Sequence, residues 1–316
     1  MELRRALGAR REGNGMTKAA SRFATLEEVM SPEFMNLTRV LDKMTVQYEL
    51  PDHSDANRER YPWSQGILSP RAFYAARMWE YPYALTSADL QPGMRCADIG
   101  CGMTAFTIYL KEVALCQVVG VDPEVFDSGI RYYGHGVSRE FLQKTGIELV
   151  QSGLETIPLP SNTFDRVFCL SVIEHLTQDV IYRGVREVAR IVKPGGRAIF
   201  TVDVNMLSEV SRPLDLIWES GLVPWGNLDL RWPTHRFGNF CDGKQPADVY
   251  GMCLVKEARP VETQYASVSG DSRPPLVDAS LIPVLRSQNQ PAHPRRSLWR
   301  RVTSRVRSAG SVLLKG

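Results

Sequence analysis

The sequence has few cysteines, no long apolar run and no strong excess of charge of one sign. Its six cysteines in 316 residues form no C-x-x-C pair and have no histidine at metal-ligand spacing, so we expect free thiols and no metal site. No apolar stretch approaches the ~20 residues that span a bilayer. The basic first residues are not followed by an apolar segment, which argues against a secretory signal. These absences predict a cytoplasmic protein in a reducing compartment.

Positive charge is concentrated at the end of the sequence. Seven of the 38 basic residues and none of the 35 acidic residues follow residue 294, so the rest of the chain is mildly acidic. A body without a basic excess predicts no nucleic-acid partner. Apolar residues approach helical spacing among the arginines of the tail. Two interpretations follow: a basic amphipathic helix in peripheral contact with an anionic membrane, or a solvated tail.

Changes in composition divide the chain into five predicted segments. They are a disordered basic N-terminus (1–25), a helical and aromatic cap (26–90), an α/β domain (91–256), a linker rich in Pro and Ser (257–294) and the basic tail (295–316). The oligomeric state does not follow from the sequence.

Short apolar runs alternate with amphipathic segments in the α/β domain, as in βαβ units that build a parallel sheet. Strands are predicted at 94–99, 116–121, 147–151, 167–171 and 198–202, with two more near 223–230 and 249–256. The apolar residues of 180–192 recur at helical spacing and predict a helix with one buried face. Pro-Gly-Gly at 194–196 is predicted to end this helix and to turn the chain into the next strand.

A glycine-rich turn lies between the first strand of the domain and an amphipathic run. Gly100 and Gly102 in DIGCGMT (98–104) allow positive φ angles and a close approach of the backbone to a ligand. Asp122 ends the next strand, 22 residues after Gly100. In a βαβ unit this spacing places a carboxylate where it can accept hydrogen bonds from both ribose hydroxyls. Asp98, just before the turn, can orient it and face the cationic end of a ligand.

The glycine pattern alone leaves three interpretations of the turn open. It can be an ordinary tight turn without a ligand. It also fits the dinucleotide variant G-x-G-x-x-A at 100–105, which would imply a nicotinamide-dependent oxidoreductase. The third interpretation, binding of an adenosyl sulfonium, is favoured by Asp98 and by the segments downstream.

Five ordered motifs between residues 94 and 203 resemble those of the class I S-adenosylmethionine (SAM)-dependent methyltransferases of the small-molecule type. They are DIGCG (98–102), the acid Asp122, VQSGLETIPLP (150–160), NTFDRV with SVIEHL (162–176) and VKPGGR (192–197). The resemblance implies an α/β fold: a doubly wound, seven-stranded, mostly parallel sheet of the Rossmann-like methyltransferase type with an N-terminal helical cap. It implies SAM as the cofactor. The cofactor-binding residues that it implies are Asp98, Gly100, Gly102, Asp122, Gly153, Leu154 and Leu170.

Two residues depart from the family pattern. Thr104 stands where the family usually has a third glycine, and Gly153 stands where it usually has an Asp that hydrogen-bonds the adenine amino group. Losing that hydrogen bond should weaken SAM binding by about 1 kcal/mol. Restoring a carboxylate by Gly153→Asp is therefore expected to tighten SAM binding.

Glu174 and His175 are the catalytic candidates, because they follow the fourth strand at the carboxyl edge of the sheet. His175 is a candidate general base; the alternative is that the pair only holds the following helix. Seven aromatic residues within 61–83 line the acceptor pocket or pack the cap onto the domain.

We therefore expect SAM-dependent methylation of a small molecule, with the hydroxyl of a sugar, lipid or secondary metabolite as the leading acceptor. The alternatives are N-methylation of a small amine and a catalytically inactive SAM-fold binding or scaffold protein.

Overall fold

The computed structural model describes residues 20–60, 69–72, 77–125, 136–204, 213–231 and 249–258, in which helices and strands alternate. The helices are α1 (Leu26–Val29), α2 (Pro32–Tyr48), α3 (Ser54–Arg60), α4 (Arg77–Ser87), α5 (Ala105–Glu112), α6 (Arg139–Thr145), α7 (Gln178–Ile191) and α8 (Pro213–Ser220). The strands are β1 (Arg22–Phe23), β2 (Arg95–Ile99), β3 (Gln117–Asp122), β4 (Glu148–Gln151), β5 (Phe164–Leu170), β6 (Val192–Asp203), β7 (Val223–Pro224) and β8 (Val249–Val255). Single 3₁₀ turns, Leu154–Thr156 and Ile173–His175, follow β4 and β5.

The strands form one sheet in the order β1-β8-β6-β5-β2-β3-β4, with β7 paired to β8. β4, β3, β2, β5 and β6 are parallel, whereas β8 is antiparallel to β6 and to β1. The strand order reverses between β2 and β5, and ligands bind open α/β sheets at such a switch point. The predicted doubly wound, mostly parallel sheet is confirmed; the described residues contain eight strands where seven were expected.

Helices cover both faces of the sheet. Buried residues of α2, α4 and α5 belong to one apolar cluster, and those of α7 and α8 belong to the other. The ring of Phe106 on α5 meets that of Phe168 on β5 edge-on, with centroids 5.2 Å apart. The central strands are therefore buried on both faces, which explains why their sequences read as continuous apolar runs.

The sheet differs from its sequence-based prediction at two places. β1 lies within the segment predicted to be disordered, and its Arg22 and Phe23 pair with Gly251 and Tyr250 of β8. A strand of two residues has no periodicity to detect, and its partner lies far along the chain.

The start of β6 is the second difference, because the strand begins at Val192 and not after the Pro-Gly-Gly sequence. The β5–β6 register shifts there: Phe164 pairs with Val192, and Arg166 pairs with Arg197. The Pro-Gly-Gly residues therefore form a bulge inside a strand and not a turn before one. The prediction that they separate the helix from the strand was wrong for this reason.

The cap packs its aromatic residues into the core. Trp79 and Tyr83 of α4 are fully buried and stack with ring centroids 4.4 Å apart. Trp79 Nε1 donates to Glu28 Oε2 at 2.9 Å, and the Tyr83 hydroxyl donates to the carbonyl of Ala20 at 2.6 Å. For these two aromatics the packing alternative holds, whereas 61–68 and 73–76 lie outside the described residues.

Five of the six cysteines lie within the described residues, where they are free and buried, as expected. The described residues contain no group of side chains arranged to hold a metal ion. Among the described helices none is long and apolar enough to cross a membrane. The domain boundaries stay predictions; the linker from 259 onward and the basic tail lie outside the described residues.

Candidate cofactor site and the acidic cluster beside it

The glycine turn joins β2 to α5 in the conformation that the sequence predicts. Gly100 has φ +70° and Gly102 has φ +50°. A Cβ added to Gly100 would lie 2.4 Å from Val172 Cγ2, whereas one added to Gly102 would meet only Thr104 Cγ2, at 3.7 Å. A side chain at 100 would thus collide with the segment after β5, and one at 102 would fill open space beside the turn. Thr104 begins α5 without a side-chain cap, which leaves the first helical N–H groups available to a ligand.

Asp122 is anchored by the backbone at both of its oxygens. Gly102 N–H donates to Oδ2 at 2.9 Å, and Glu124 N–H donates to Oδ1 at 2.8 Å. Burial raises the pKa of Asp122, and these two hydrogen bonds act in the opposite direction. Each carboxylate oxygen has more than one acceptor position, so the group can still accept hydrogen bonds from a ligand.

Asp98 lies beneath the turn and is 4 % exposed. Its Oδ2 accepts a hydrogen bond from Thr107 Oγ1 at 2.6 Å. Burial raises the pKa of Asp98 to about 7, and the charge of Asp122 acts in the same direction. Asp98 can therefore change its protonation state near neutral pH when a cation binds close to it.

Gly153 follows β4 near Asp122, whose carbonyl accepts the N–H of Ser152 at 3.2 Å. A Cβ at Gly153 would lie 2.7 Å from Glu155 Oε2, so the Glu155 carboxylate occupies the space beside the glycine. Ser152 Oγ donates to the carbonyls of Gly153 and Thr156. Leu154 is buried, and its side chain fits against Gly184 of α7.

Leu170 ends β5 beside the switch point of the sheet and is 7 % exposed. It pairs with Thr201 of β6. The next residue, Ser171, takes a positive φ of 54°, and its N–H donates to the Thr201 carbonyl at 3.1 Å. The chain thus turns sharply over the carboxyl edge of the sheet directly before Glu174.

Glu174 and His175 face different surroundings although they are neighbours in sequence. Glu174 is 6 % exposed, whereas His175 lies at the surface. Burial raises the pKa of Glu174 to about 8, and the carboxylates of Asp203 and Glu80 add to this rise. Partial burial, followed by the charge of Arg77, lowers the pKa of His175 and favours its neutral imidazole.

Three charged residues that act on Glu174 were not predicted from the sequence: Arg77, Glu80 and Asp203. Arg77 Nη1 lies 3.3 Å from Glu80 Oε2, and Ser171 Oγ donates to Glu80 Oε1 at 2.9 Å. Two sequence features could have indicated Glu80 and Asp203 as candidate site residues. Glu80 is an acid inside an aromatic run, and Asp203 ends a predicted strand as Asp122 does.

Part of the chain is similar in sequence to known methyltransferases. A family model described as "Methyltransferase domain" matches residues 97–200. The chain is 25 % identical over 153 residues to a tRNA U34 carboxymethyltransferase of Campylobacter curvus, covering 47 % of this chain and 49 % of that protein. It is 32 % identical over 126 residues to the ubiquinone/menaquinone biosynthesis C-methyltransferase UbiE of Stenotrophomonas maltophilia, covering 39 % and 47 %.

A solved structure of the YcgJ protein from Bacillus subtilis aligns with 56 % of this chain and 97 % of that chain, at 17 % identity and a TM-score of 0.40. The chain spans about half the length of the curated relatives named above.

Residues 97–200 therefore carry a SAM-dependent methyltransferase domain, and SAM is the cofactor of such domains. The geometry of the glycine turn and of its neighbours fits such a cofactor. The backbone at Gly102 is bare, the start of α5 has no side-chain cap, and the anchored Asp122 carboxylate retains acceptor capacity.

Proposed function

We propose that this protein transfers the methyl group of SAM to a small-molecule acceptor. The observation that carries the proposal is the hydrogen bond between Gly102 and Asp122. It joins the glycine turn to the acid of the neighbouring strand within the region that matches the methyltransferase model. Asp98, Gly100, Gly153, Leu154 and Leu170 complete the proposed cofactor site.

The chain's own residues act by binding and positioning. Bound SAM supplies an electrophilic methyl group on a positively charged sulfur. Asp122 accepts hydrogen bonds from ribose hydroxyls, and the bare turn at Gly102 allows the ligand to approach the backbone. Leu154 and Leu170 offer apolar surface that excludes water, and such positioning accounts for most of the catalysis of an in-line transfer. Glu174 and His175 lie at the same edge of the sheet, where a proton of the acceptor can be taken up.

The chemical identity of the methyl acceptor is the more specific part of the proposal. The relatives named above act, by name, on a tRNA and in quinone biosynthesis, so a small-molecule acceptor and the absence of a nucleic-acid partner remain predictions. A hydroxyl acceptor was favoured by the aromatic segment, but Trp79 and Tyr83 are used in packing. The acidic residues around Glu174 favour the amine alternative.

Calorimetric titration of the full chain with SAM, S-adenosylhomocysteine (SAH) and NAD tests the proposal. We expect saturable binding of SAM and SAH and none of NAD. SAH release is then followed with a panel of paired alcohols and amines. Binding of NAD without SAM would contradict the proposal, and SAM binding without turnover on any acceptor would favour the scaffold alternative.

A further inference from the structure

Three acidic residues from three separate elements influence one another electrostatically near the carboxyl edge of β5 and β6. Glu80 comes from α4, Glu174 from the turn after β5 and Asp203 from the end of β6. Ser171 links them: its hydroxyl bonds Glu80, and its N–H bonds Thr201, two residues before Asp203. We call these three residues the acidic cluster.

Glu174 is the member that indicates a ligand. Neither of its carboxylate oxygens accepts a hydrogen bond from another residue in the part of the chain that the structure describes, although both atoms are buried. A buried carboxylate without a partner is costly, and the cost falls when a cation or a hydrogen-bond donor arrives. The carboxylates of Asp203 and Glu80 lie close enough to Glu174 to raise its pKa further.

The charges around Glu174 favour a positive ligand. Among the described residues, Arg77 is the cation whose charge acts on Glu174, and it is already paired with Glu80. SAM has a net charge of about +1 from its sulfonium, ammonium and carboxylate groups at neutral pH. With its pKa raised to about 8, the Glu174 carboxyl is protonated in the empty site, and a cationic group that binds beside it would shift it toward the carboxylate.

The position of the cluster suits the acceptor. Val172 lies against the glycine turn at Gly100, so the segment that carries Glu174 borders the proposed cofactor site. Tyr81, one turn along α4 from Arg77, hydrogen-bonds Thr104 at the start of α5. Arg77 within the cluster disfavours a metal ion, and the described residues contain no metal-binding arrangement.

We propose that Glu174, together with Glu80 and Asp203, binds the protonated nitrogen of the methyl acceptor, and that the acceptor is therefore an amine. This inference rests on the proposed methyltransferase function. The ammonium group gives one proton to the Glu174 carboxylate, and its nitrogen lone pair then forms the bond to the methyl carbon. The carbon–sulfur bond breaks with its electron pair on sulfur, which yields SAH and an N-methylammonium product.

Sinefungin is the probe, because it replaces the methyl-bearing sulfur of SAM with a carbon that carries a protonated amine. SAH lacks this positive charge at the same position. We would titrate the full chain with both ligands, for the unchanged protein, Glu174→Gln and the exposed-residue control Glu148→Gln. We expect sinefungin to bind at least about tenfold more tightly than SAH, as is typical of a close charge in a buried site. Glu174→Gln should remove this preference and change the Kd for SAH less than about twofold, and Glu148→Gln should change neither.

The other outcomes contradict the proposal in distinguishable ways. Equal weakening of both ligands by Glu174→Gln would assign the cluster to the cofactor's own ammonium group. An unchanged preference in Glu174→Gln would remove Glu174 from the pocket. A rise in melting temperature with MgCl₂ that Glu174→Gln abolishes would assign the cluster to a divalent cation. Absence of SAH binding to the unchanged protein would overturn the proposed function itself.

A folding measurement accompanies the titrations. Because Glu174 has no hydrogen-bond partner from another described residue, Glu174→Gln should fold with an unchanged or higher melting temperature. A large decrease would show that the carboxylate has a structural partner in the chain and would contradict the proposal.

Discussion

Asp122 Oδ2 accepts the backbone N–H of Gly102 at a distance of 2.9 Å. The carboxylate at the end of β3 thereby fixes the turn after β2, and its second oxygen is fixed by Glu124 N–H. An acid held in this way does not need to reorganise when a ligand arrives. The same contact means that changing Asp122 affects the turn as well as the proposed ribose site.

Asp122→Ala is expected to weaken SAM binding by about 1.5–3 kcal/mol, because hydrogen bonds to a charged acceptor are lost. Isothermal calorimetry measures the change. Asp165→Ala is the matched control: Asp165 also accepts a backbone N–H, from Arg95, but at the amino end of β2. Both variants should lose stability, and only Asp122→Ala should lose affinity. Equal SAM affinity in the two variants would contradict the site.

Gly100→Ala tests whether the turn requires a bare backbone. Its Cβ would lie 2.4 Å from Val172 Cγ2, in addition to the strain of a φ of +70°. Gly93→Ala has similar strain, at φ +84°, but no atom within 4 Å of the added carbon. We expect both variants to lose about 1 kcal/mol of stability or more, with a decrease of at least about tenfold in SAM affinity only for Gly100→Ala. Similar affinities would show that Val172 can move aside at no cost to binding.

The raised pKa of Asp98 predicts a stability that decreases with pH. The folded protein holds this proton more tightly than the unfolded chain does, because the pKa rises from an ordinary value of 3.8 to about 7. The contribution of Asp98 is therefore most favourable below pH 4 and is lost as pH rises to about 7. Asp98→Asn removes this dependence.

Urea unfolding of the unchanged protein and of Asp98→Asn at pH 5, 6 and 7 measures the effect. The stability of the unchanged protein relative to the variant should fall by up to about 1.4 kcal/mol per pH unit. Asp179→Asn, at an exposed helical ion pair, should show no such trend. A relative stability for Asp98 that rises with pH would mean that the carboxylate is held ionised.

The sequence predicts the centre of this fold better than its edges. β2, β3 and β4 lie within one residue of their predicted bounds. β2 and β3 are buried along most of their length, and parallel strands buried on both faces are continuous apolar runs between turn residues. β1 could not be predicted, since its two residues are extended only because β8 pairs with them. Gly100, Gly102 and Asp122 form a local sequence pattern, so they could be proposed as site residues from the sequence. Glu80 joins the site through Ser171, which lies 91 residues away, and no local pattern encodes that contact.

Gly153→Asp shows how the structure changes an expectation drawn from sequence. Gly153 has an ordinary φ of −72°, so the backbone accepts an Asp. The added Cβ would nevertheless lie 2.7 Å from Glu155 Oε2, and the two carboxylates would repel each other. We therefore expect Gly153→Asp alone to tighten SAM binding less than Gly153→Asp combined with Glu155→Gln. Calorimetry on both variants and on Glu155→Gln alone tests this, and equal affinities with and without Glu155 would show that its carboxylate moves away freely.

Gly184 lies in the middle of α7, where intrinsic propensity favours alanine by about 1 kcal/mol. A Cβ there would lie 2.3 Å from Leu154 Cγ and 2.5 Å from Leu154 Cδ2. We expect the collision to outweigh the propensity, so that Gly184→Ala is destabilised by about 1–3 kcal/mol and binds SAM more weakly, because Leu154 is displaced from the proposed cofactor site.

A double-mutant cycle separates the two effects at Gly184. Leu154→Ala alone should destabilise the protein by about 2–5 kcal/mol, because it leaves a cavity. Gly184→Ala in the Leu154→Ala background should be neutral or stabilising, since the methyl group then fills part of that cavity while the helix gains its propensity. The sign of the Gly184→Ala effect therefore reverses with the residue at 154, and urea unfolding of the four proteins measures the reversal. A Gly184→Ala effect that is the same in both backgrounds would mean that the two residues do not pack together. In that case α7 does not position Leu154.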